Sequence, residues 1–224
     1  MSDESLFREV DEDVRREEME KLWKRYGNLV IAACVGVVLG VSAIKGWQYW
    51  QKQSSEKAGA AYVQATKLAT DGKKDEAAGA YAKIADGSHS GYAQLSRMQQ
   101  AGILADKGDT EAAVKMYDAI YADTSVDGSL RDLSRVRAAY LLADSASVDD
   151  LKSRLAGLDV EGSAWRASAH EILALAQYRA GNLADADKLI KGLISDPNTP
   201  AGLRQRAQLF ATILKPQLDT KAAQ

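Results

Sequence analysis

Three features of this sequence predict an all-α fold: one N-terminal transmembrane helix followed by a solenoid of helical hairpins. A long uncharged stretch lies near the N-terminus, and a glycine-marked pattern returns at a near-constant spacing. The third feature is composition. Alanine is abundant, proline is limited to Pro197, Pro200 and Pro216, and β-branched runs are missing outside the uncharged stretch. Such a chain favours helices throughout. The expected divisions are a charged, partly helical cytoplasmic tail over 1–27, an anchor over 28–50, a helical domain over 51–218 and a disordered end over 219–224.

The anchor rests on residues 28–47, NLVIAACVGVVLGVSAIKGW, which carry no charge before Lys45. At 1.5 Å per helical residue, about 20 residues cover the ~30 Å hydrocarbon core of a bilayer. A secretory signal peptide has a shorter apolar run, ending close to a small-x-small cleavage site. Here the small-x-small site Ala58-Gly59-Ala60 lies well past the run, and many charged residues precede the run. Trp23, Tyr26, Trp47, Tyr49 and Trp50 flank the run as an aromatic belt suited to lipid headgroups. Arg15, Arg16, Lys21, Lys24 and Arg25 precede it, against Lys45, Lys52 and Lys57 at or after its end. This excess places the N-terminus in the cytoplasm. Ala32, Gly36 and Gly40 form a small-residue face that lets another helix approach closely, although such residues are also common in membrane helices. Cys34, the one cysteine, sits inside the run, so the exported part can form no internal disulfide.

Before the run, residues 1–7 read as disordered. From about Glu9 a helix is expected, with Met19, Leu22, Trp23 and Tyr26 on one face and Gly27 as a hinge.

The repeat is visible in DGKKDEA at 71–77, KGDTEAA at 107–113 and AGNLADA at 180–186. Gly72 and Gly108 are 36 residues apart, and Gly181 follows after 73 more, close to two further periods. Each glycine ends a helix by adopting the left-handed conformation. Five residues on stand the small residues Ala77, Ala113 and Ala186; nine on stand Tyr81, Tyr117 and Ile190. Twelve on come Ile84, Ile120 and Leu193. These offsets match the tetratricopeptide pattern. A degenerate copy turns near 144–147. It carries a stripe of Leu130, Leu133, Val136, Tyr140 and Leu141 in which Arg137 is the polar intrusion, then a capping box at Ser147 and Asp150. Further helices are expected over 161–180, from Gly181 to a stop at Asp196-Pro197, and from a Thr199 cap to a stop at Pro216.

Enzyme chemistry has little to build on. His89 lies in a turn-like GSHS segment and His170 reads as a surface position in mid-helix. Neither has a second His or Cys at metal-ligand spacing, and no phosphate-binding or dinucleotide motif is present, so no cofactor is expected. Net charge is −2, from 29 basic and 31 acidic residues, which gives no basis for a nucleic-acid partner. A hairpin stack instead offers a concave groove. Tyr62, Tyr92, Met98, Tyr140 and Tyr178 are the candidates to line it, with core packing the competing role for each.

The runs VGVVLGV at 35–41 and GWQYW at 46–50 resemble the membrane anchor of the ancillary SecYEG translocon subunit family. The likeness continues through GSAW at 162–165, Gly181-Asn182 and DPNTP at 196–200. This resemblance implies a single-pass bacterial inner-membrane protein with a periplasmic tetratricopeptide-like domain. It also implies three partners, the SecYEG translocon, a membrane-anchored periplasmic prolyl isomerase with chaperone activity and exported unfolded chains, beside the lipid bilayer that the uncharged run already requires. The expected role is chaperone-like holding without catalysis. The alternative is a structural adaptor that scaffolds another envelope complex and never touches nascent chains.

Overall fold

The computed structural model describes residues 3–87 and 91–222, and it does not describe the side chains at 3–15, 17–18, 21–22, 29–30, 33–34 and 221–222. Among the described residues the secondary structure is helical: α1 (Asp3–Thr70), α2 (Lys74–Gly87), α3 (Gly91–Asp106), α4 (Thr110–Ala122), α5 (Gly128–Leu142), α6 (Val148–Leu155), α7 (Arg166–Arg179), α8 (Leu183–Ser195) and α9 (Ala201–Ala222). The chain divides into two compact units, Met1–Lys57 and Ala58–Gln224.

The first unit is the N-terminal part of α1. The helix begins at Asp3, where the sequence suggests disorder to Phe7. It also passes Gly27 without a break, so the expected hinge is absent. One glycine costs a helix about 1 kcal/mol relative to alanine, too little to interrupt a long one. The Trp23 indole lies over the bare position, where an added Cβ would meet ring carbon at 3.3 Å. Exposed i,i+4 pairs, Glu20–Lys24 and Lys52–Glu56, flank the apolar run. Among the described residues no helix is long and apolar enough to cross a membrane. Four side chains of the apolar run, those at 29, 30, 33 and 34, lie outside the described residues, and Cys34 is one of them.

The second unit is a stack of helical hairpins. Each turn glycine has positive φ: 80° at Gly72, 83° at Gly108 and 76° at Gly181. The three turns share one hydrogen-bond pattern. The glycine N–H reaches back three residues (Gly72 to Ala69, Gly108 to Ala105, Gly181 to Tyr178), and the next N–H reaches back five (Lys73 to Leu68, Asp109 to Leu104, Asn182 to Gln177). This paired motif satisfies carbonyls that the helix end leaves free. The degenerate copy ends without a glycine, and Ser145 and Ala146 N–H both turn back to Leu142 O. There Ser147 caps α6, its Oγ accepting from Asp150 N–H at 3.1 Å.

Two helix boundaries depart from expectation. Residues 161–165 form turns, with Gly162 at φ 85° and Ser163 Oγ accepting from Trp165 N–H, so α7 starts five residues late. The left-handed glycine is incompatible with a helix running through it. At the other end α9 continues past Pro216 to Ala222. This proline falls near the helix end, where the carbonyl of Thr212, an exposed residue, loses one donor. Thr199 also fails as a side-chain cap: Pro200 O accepts the first helical bond from Arg204 N–H, and Thr199 Oγ1 is buried without a partner.

Packing follows the repeat. Ala77, Ala113 and Ala186 are fully buried, and Tyr81, Tyr117, Ile190, Ile84, Ile120 and Leu193 are buried beside them. Each helix from α2 to α9 touches the next, and the odd-numbered helices also touch one another: α3 with α5, α5 with α7, α7 with α9. Among the described residues no such contact joins α2, α4, α6 and α8 to each other. The first helices of the hairpins therefore form the inner layer, the side on which a hairpin stack presents its groove.

Candidate functional site

The inner layer carries a groove along α5, α7 and α9, crossed by a polar bar. Glu171 of α7 is 8% exposed, although a carboxylate taken from water is unfavourable without partners. It has three. Arg206 of α9 donates through Nε at 2.7 Å and Nη2 at 2.9 Å, and the Tyr140 hydroxyl of α5 donates to Oε2. Burial, then the bond to Glu171, pushes the Tyr140 phenol up to about 12. The Glu171 carboxylate likewise raises the Arg206 guanidinium, so the bar is a fixed ion pair with a neutral phenol at its end.

Cavities open on both sides of the bar, each sharing Tyr140 and Arg206. One of about 420 Å³ is apolar, with Leu175, Leu209, Phe210 and Ile213 beyond the bar. Leu209 and Ile213 are 61% and 52% exposed. The other, about 400 Å³, is walled by Leu133, Val136, Trp165 and Leu203 and adds Arg137 and Ser168. Aliphatic side chains held open on a rigid helical wall can take apolar groups of a bound chain without a new core forming.

The sequence-derived groove residues do not come together as one surface. Tyr62 and Tyr92 meet at 5.7 Å between ring centroids, and Tyr62 also meets Tyr81 at 5.4 Å. Gly59 permits this close approach, since a Cβ there would stand 3.0 Å from the Tyr92 ring. Met98 packs into the core with Tyr117 and Ile120. Tyr178 packs edge-on against Phe210 at 5.2 Å and accepts from Gln217. Only Tyr140 lines the α5/α7/α9 groove. Glu171, Arg206 and Leu209 escape a reading of the sequence, because each has the spacing of an ordinary helix residue.

In the first unit, Ala32, Gly36 and Gly40 are exposed, and a Cβ at either glycine would meet nothing within 4 Å. Trp23, Tyr26, Trp47, Tyr49 and Trp50 are exposed as well, with Trp47 and Trp50 rings 5.6 Å apart. Ile31, Val35, Val37, Val38, Leu39, Val41 and Ile44 are all more than half exposed.

His89 lies outside the described residues. His170 is half-buried rather than a surface group, with Nε2 3.1 Å from Asp159 O. Burial lowers its pKa, the Asp159 carbonyl opposes this, and the Arg166 charge lowers it further. With the folded value below the unfolded 6.5, the unfolded chain takes up the proton first as pH falls. Stability contributed here is present above pH 6.5 and declines as pH drops towards the folded value. The urea midpoint is expected to fall between pH 7.5 and 5.5, and His170→Gln is expected to flatten that fall; an unchanged slope in the variant would remove His170 as its source. Among the described residues no group of three His, Cys, Asp or Glu could hold a metal ion.

A family model described as a tetratricopeptide repeat-like domain matches residues 20–188. The chain is 30% identical over 174 residues to the ancillary SecYEG translocon subunit of Escherichia coli (strain K12), covering 76% of this chain and 82% of that protein. It is 27% identical over 107 residues to the protein of the same name from Haemophilus influenzae, covering 46% of this chain and 51% of the relative. No solved structure matches the chain significantly.

Proposed function

The chain belongs to the ancillary SecYEG translocon subunit family, with a tetratricopeptide repeat-like domain, and from that membership we propose that it assists exported proteins beside the Sec translocon by holding them. The observation that carries the holding role is the open apolar groove of α5, α7 and α9, with Leu209 and Ile213 exposed on its wall. Holding requires weak, repeated capture, and a shallow groove with a fixed polar bar suits that better than a closed pocket. The residues 28–50 serve as the anchor. Among the described residues, seven large aliphatic side chains there are more than half exposed, and lipid would cover them as water does not. The basic excess before the run sets the N-terminus in the cytoplasm and the helical unit in the periplasm.

Tethering raises the effective concentration of the groove near emerging chains, so modest affinity suffices. Within the anchor, the open Gly36/Gly40 face is the surface for a partner membrane helix, either of the translocon or of an anchored periplasmic prolyl isomerase. Site-specific photocrosslinking in cells tests both parts, with probes at Gly40 and Leu209. The expected products join Gly40 to a translocon subunit and Leu209 to newly exported chains. Crosslinks from Leu209 to resident envelope proteins alone would replace holding with a scaffolding role.

A further inference from the structure

We propose that the α5/α7/α9 groove selects extended peptide segments in which a carboxylate lies close to an apolar side chain, with Arg137 pairing the carboxylate. The inference rests on the holding role above and adds the chemistry of the segment held. Arg137 is the cation that interrupts the apolar stripe of α5, and the structure leaves it exposed on the cavity it shares with Tyr140, Trp165 and Arg206. The other arginines of α5 are engaged. Arg131 donates to Tyr121 O, and Arg135 donates to Arg154 O and Ala156 O. Arg137 makes no ion pair or hydrogen bond among the described residues, and its charge acts on the Tyr117 phenol.

Charge complementarity names the occupant. Glu171 and Arg206 neutralise each other across the bar, which leaves Arg137 as the uncompensated charge of the groove among the described residues. An apolar side chain seated against Leu209 and Ile213 places the next part of an extended chain across the bar, towards Arg137. A carboxylate arriving there meets a guanidinium that needs no existing pair broken and no buried group desolvated. A lysine arriving there meets like charge. The groove therefore discriminates by attraction and repulsion at one position, while the apolar cavity supplies affinity shared by all segments.

The test uses the full-length chain in detergent and fluorescence anisotropy with three short labelled peptides. All carry the same leucine–phenylalanine pair, and they differ at one nearby position: glutamate, glutamine or lysine. The glutamate peptide is expected to bind roughly fivefold more tightly than the glutamine peptide, with lysine weakest, and the gap should shrink as salt is added. Arg137→Ala should bring the glutamate and glutamine peptides to equal affinity, and Arg137→Glu should reverse the order in favour of lysine. Leu209→Ser should weaken all three alike. Equal binding of the three peptides to the unaltered chain, still weakened by Leu209→Ser, would overturn the carboxylate selection and leave the holding groove standing. No binding of any peptide would overturn the groove as a holding site, and the selection with it.

Discussion

Tyr81→Ala is expected to lower the stability of the helical unit by about 3–5 kcal/mol, the range for removing a buried aromatic side chain. Tyr81 stands nine residues after Gly72 and is 1% exposed. Its ring lies against Tyr62 of α1, and its hydroxyl is 2.9 Å from Thr66 Oγ1. Removing the ring opens a cavity between α1 and α2, in a cluster that includes Ala65, Ala77 and Ile84. The hydroxyl itself is worth far less. Thr66 Oγ1 still donates to Tyr62 O without it, so Tyr81→Phe leaves no orphaned donor and should cost only about 1 kcal/mol. Because each hairpin packs mainly on its neighbours, the loss should be local at first. Hydrogen exchange is expected to accelerate in α2 and the end of α1 in Tyr81→Ala, while α7 to α9 keep their protection. Loss spread evenly over all helices, or a Tyr81→Phe loss equal to that of alanine, would contradict this account.

That cluster was legible in the sequence because its signals are local. A left-handed turn calls for glycine, and helical spacing from that glycine fixes which residues face inward: Ala77, Tyr81 and Ile84 in one copy, Ala113, Tyr117 and Ile120 in the next. Capping is local too, and Ser147 with Asp150 marks the start of α6 correctly. Thr199 shows where the rule fails. Its composition suits a cap, but Arg204 Nη2 gathers the carbonyls of Asp196, Pro197 and Thr199, and the turn closes around that guanidinium instead. The groove was only half legible. Arg137 stood out as a charge in an apolar stripe. Its neighbours across the groove, Trp165 and Arg206, come from other hairpins, and no periodicity of α5 points to them. Glu171 and Arg206 are 35 residues apart on helices that are not consecutive. Each alone reads as a solvated helix charge. Tyr62, Tyr92, Met98 and Tyr178 suit a groove by residue type, yet residue type does not separate an inner-layer side chain from one packed between helices.

The polar bar carries the second large effect, and its sign depends on which partner is removed. Arg206→Ala leaves the Glu171 carboxylate with the Tyr140 hydroxyl as its one remaining partner, in a position where its side chain is 10% exposed. Stranding a buried charge costs about 3–5 kcal/mol when the loss is complete. The surviving phenol bond reduces that, and about 2–4 kcal/mol is expected. Glu171→Gln strands nothing comparable. The Arg206 side chain is 58% exposed and hydrates where it stands, and an amide oxygen still accepts from Tyr140, so about 1 kcal/mol is expected. Replacing both, as Arg206→Leu with Glu171→Leu, should recover part of the Arg206→Ala loss, because an apolar pair needs no charge compensation while the Tyr140 hydroxyl loses its acceptor. Urea unfolding of the three variants, followed by circular dichroism, reads the comparison directly. Equal losses for Arg206→Ala and Glu171→Gln would mean that the ion pair contributes through mutual attraction alone. The expected asymmetry would instead make Arg206 the residue that allows a carboxylate to lie inside the α5/α7/α9 layer, which is why the bar can stay rigid between two cavities that must remain open.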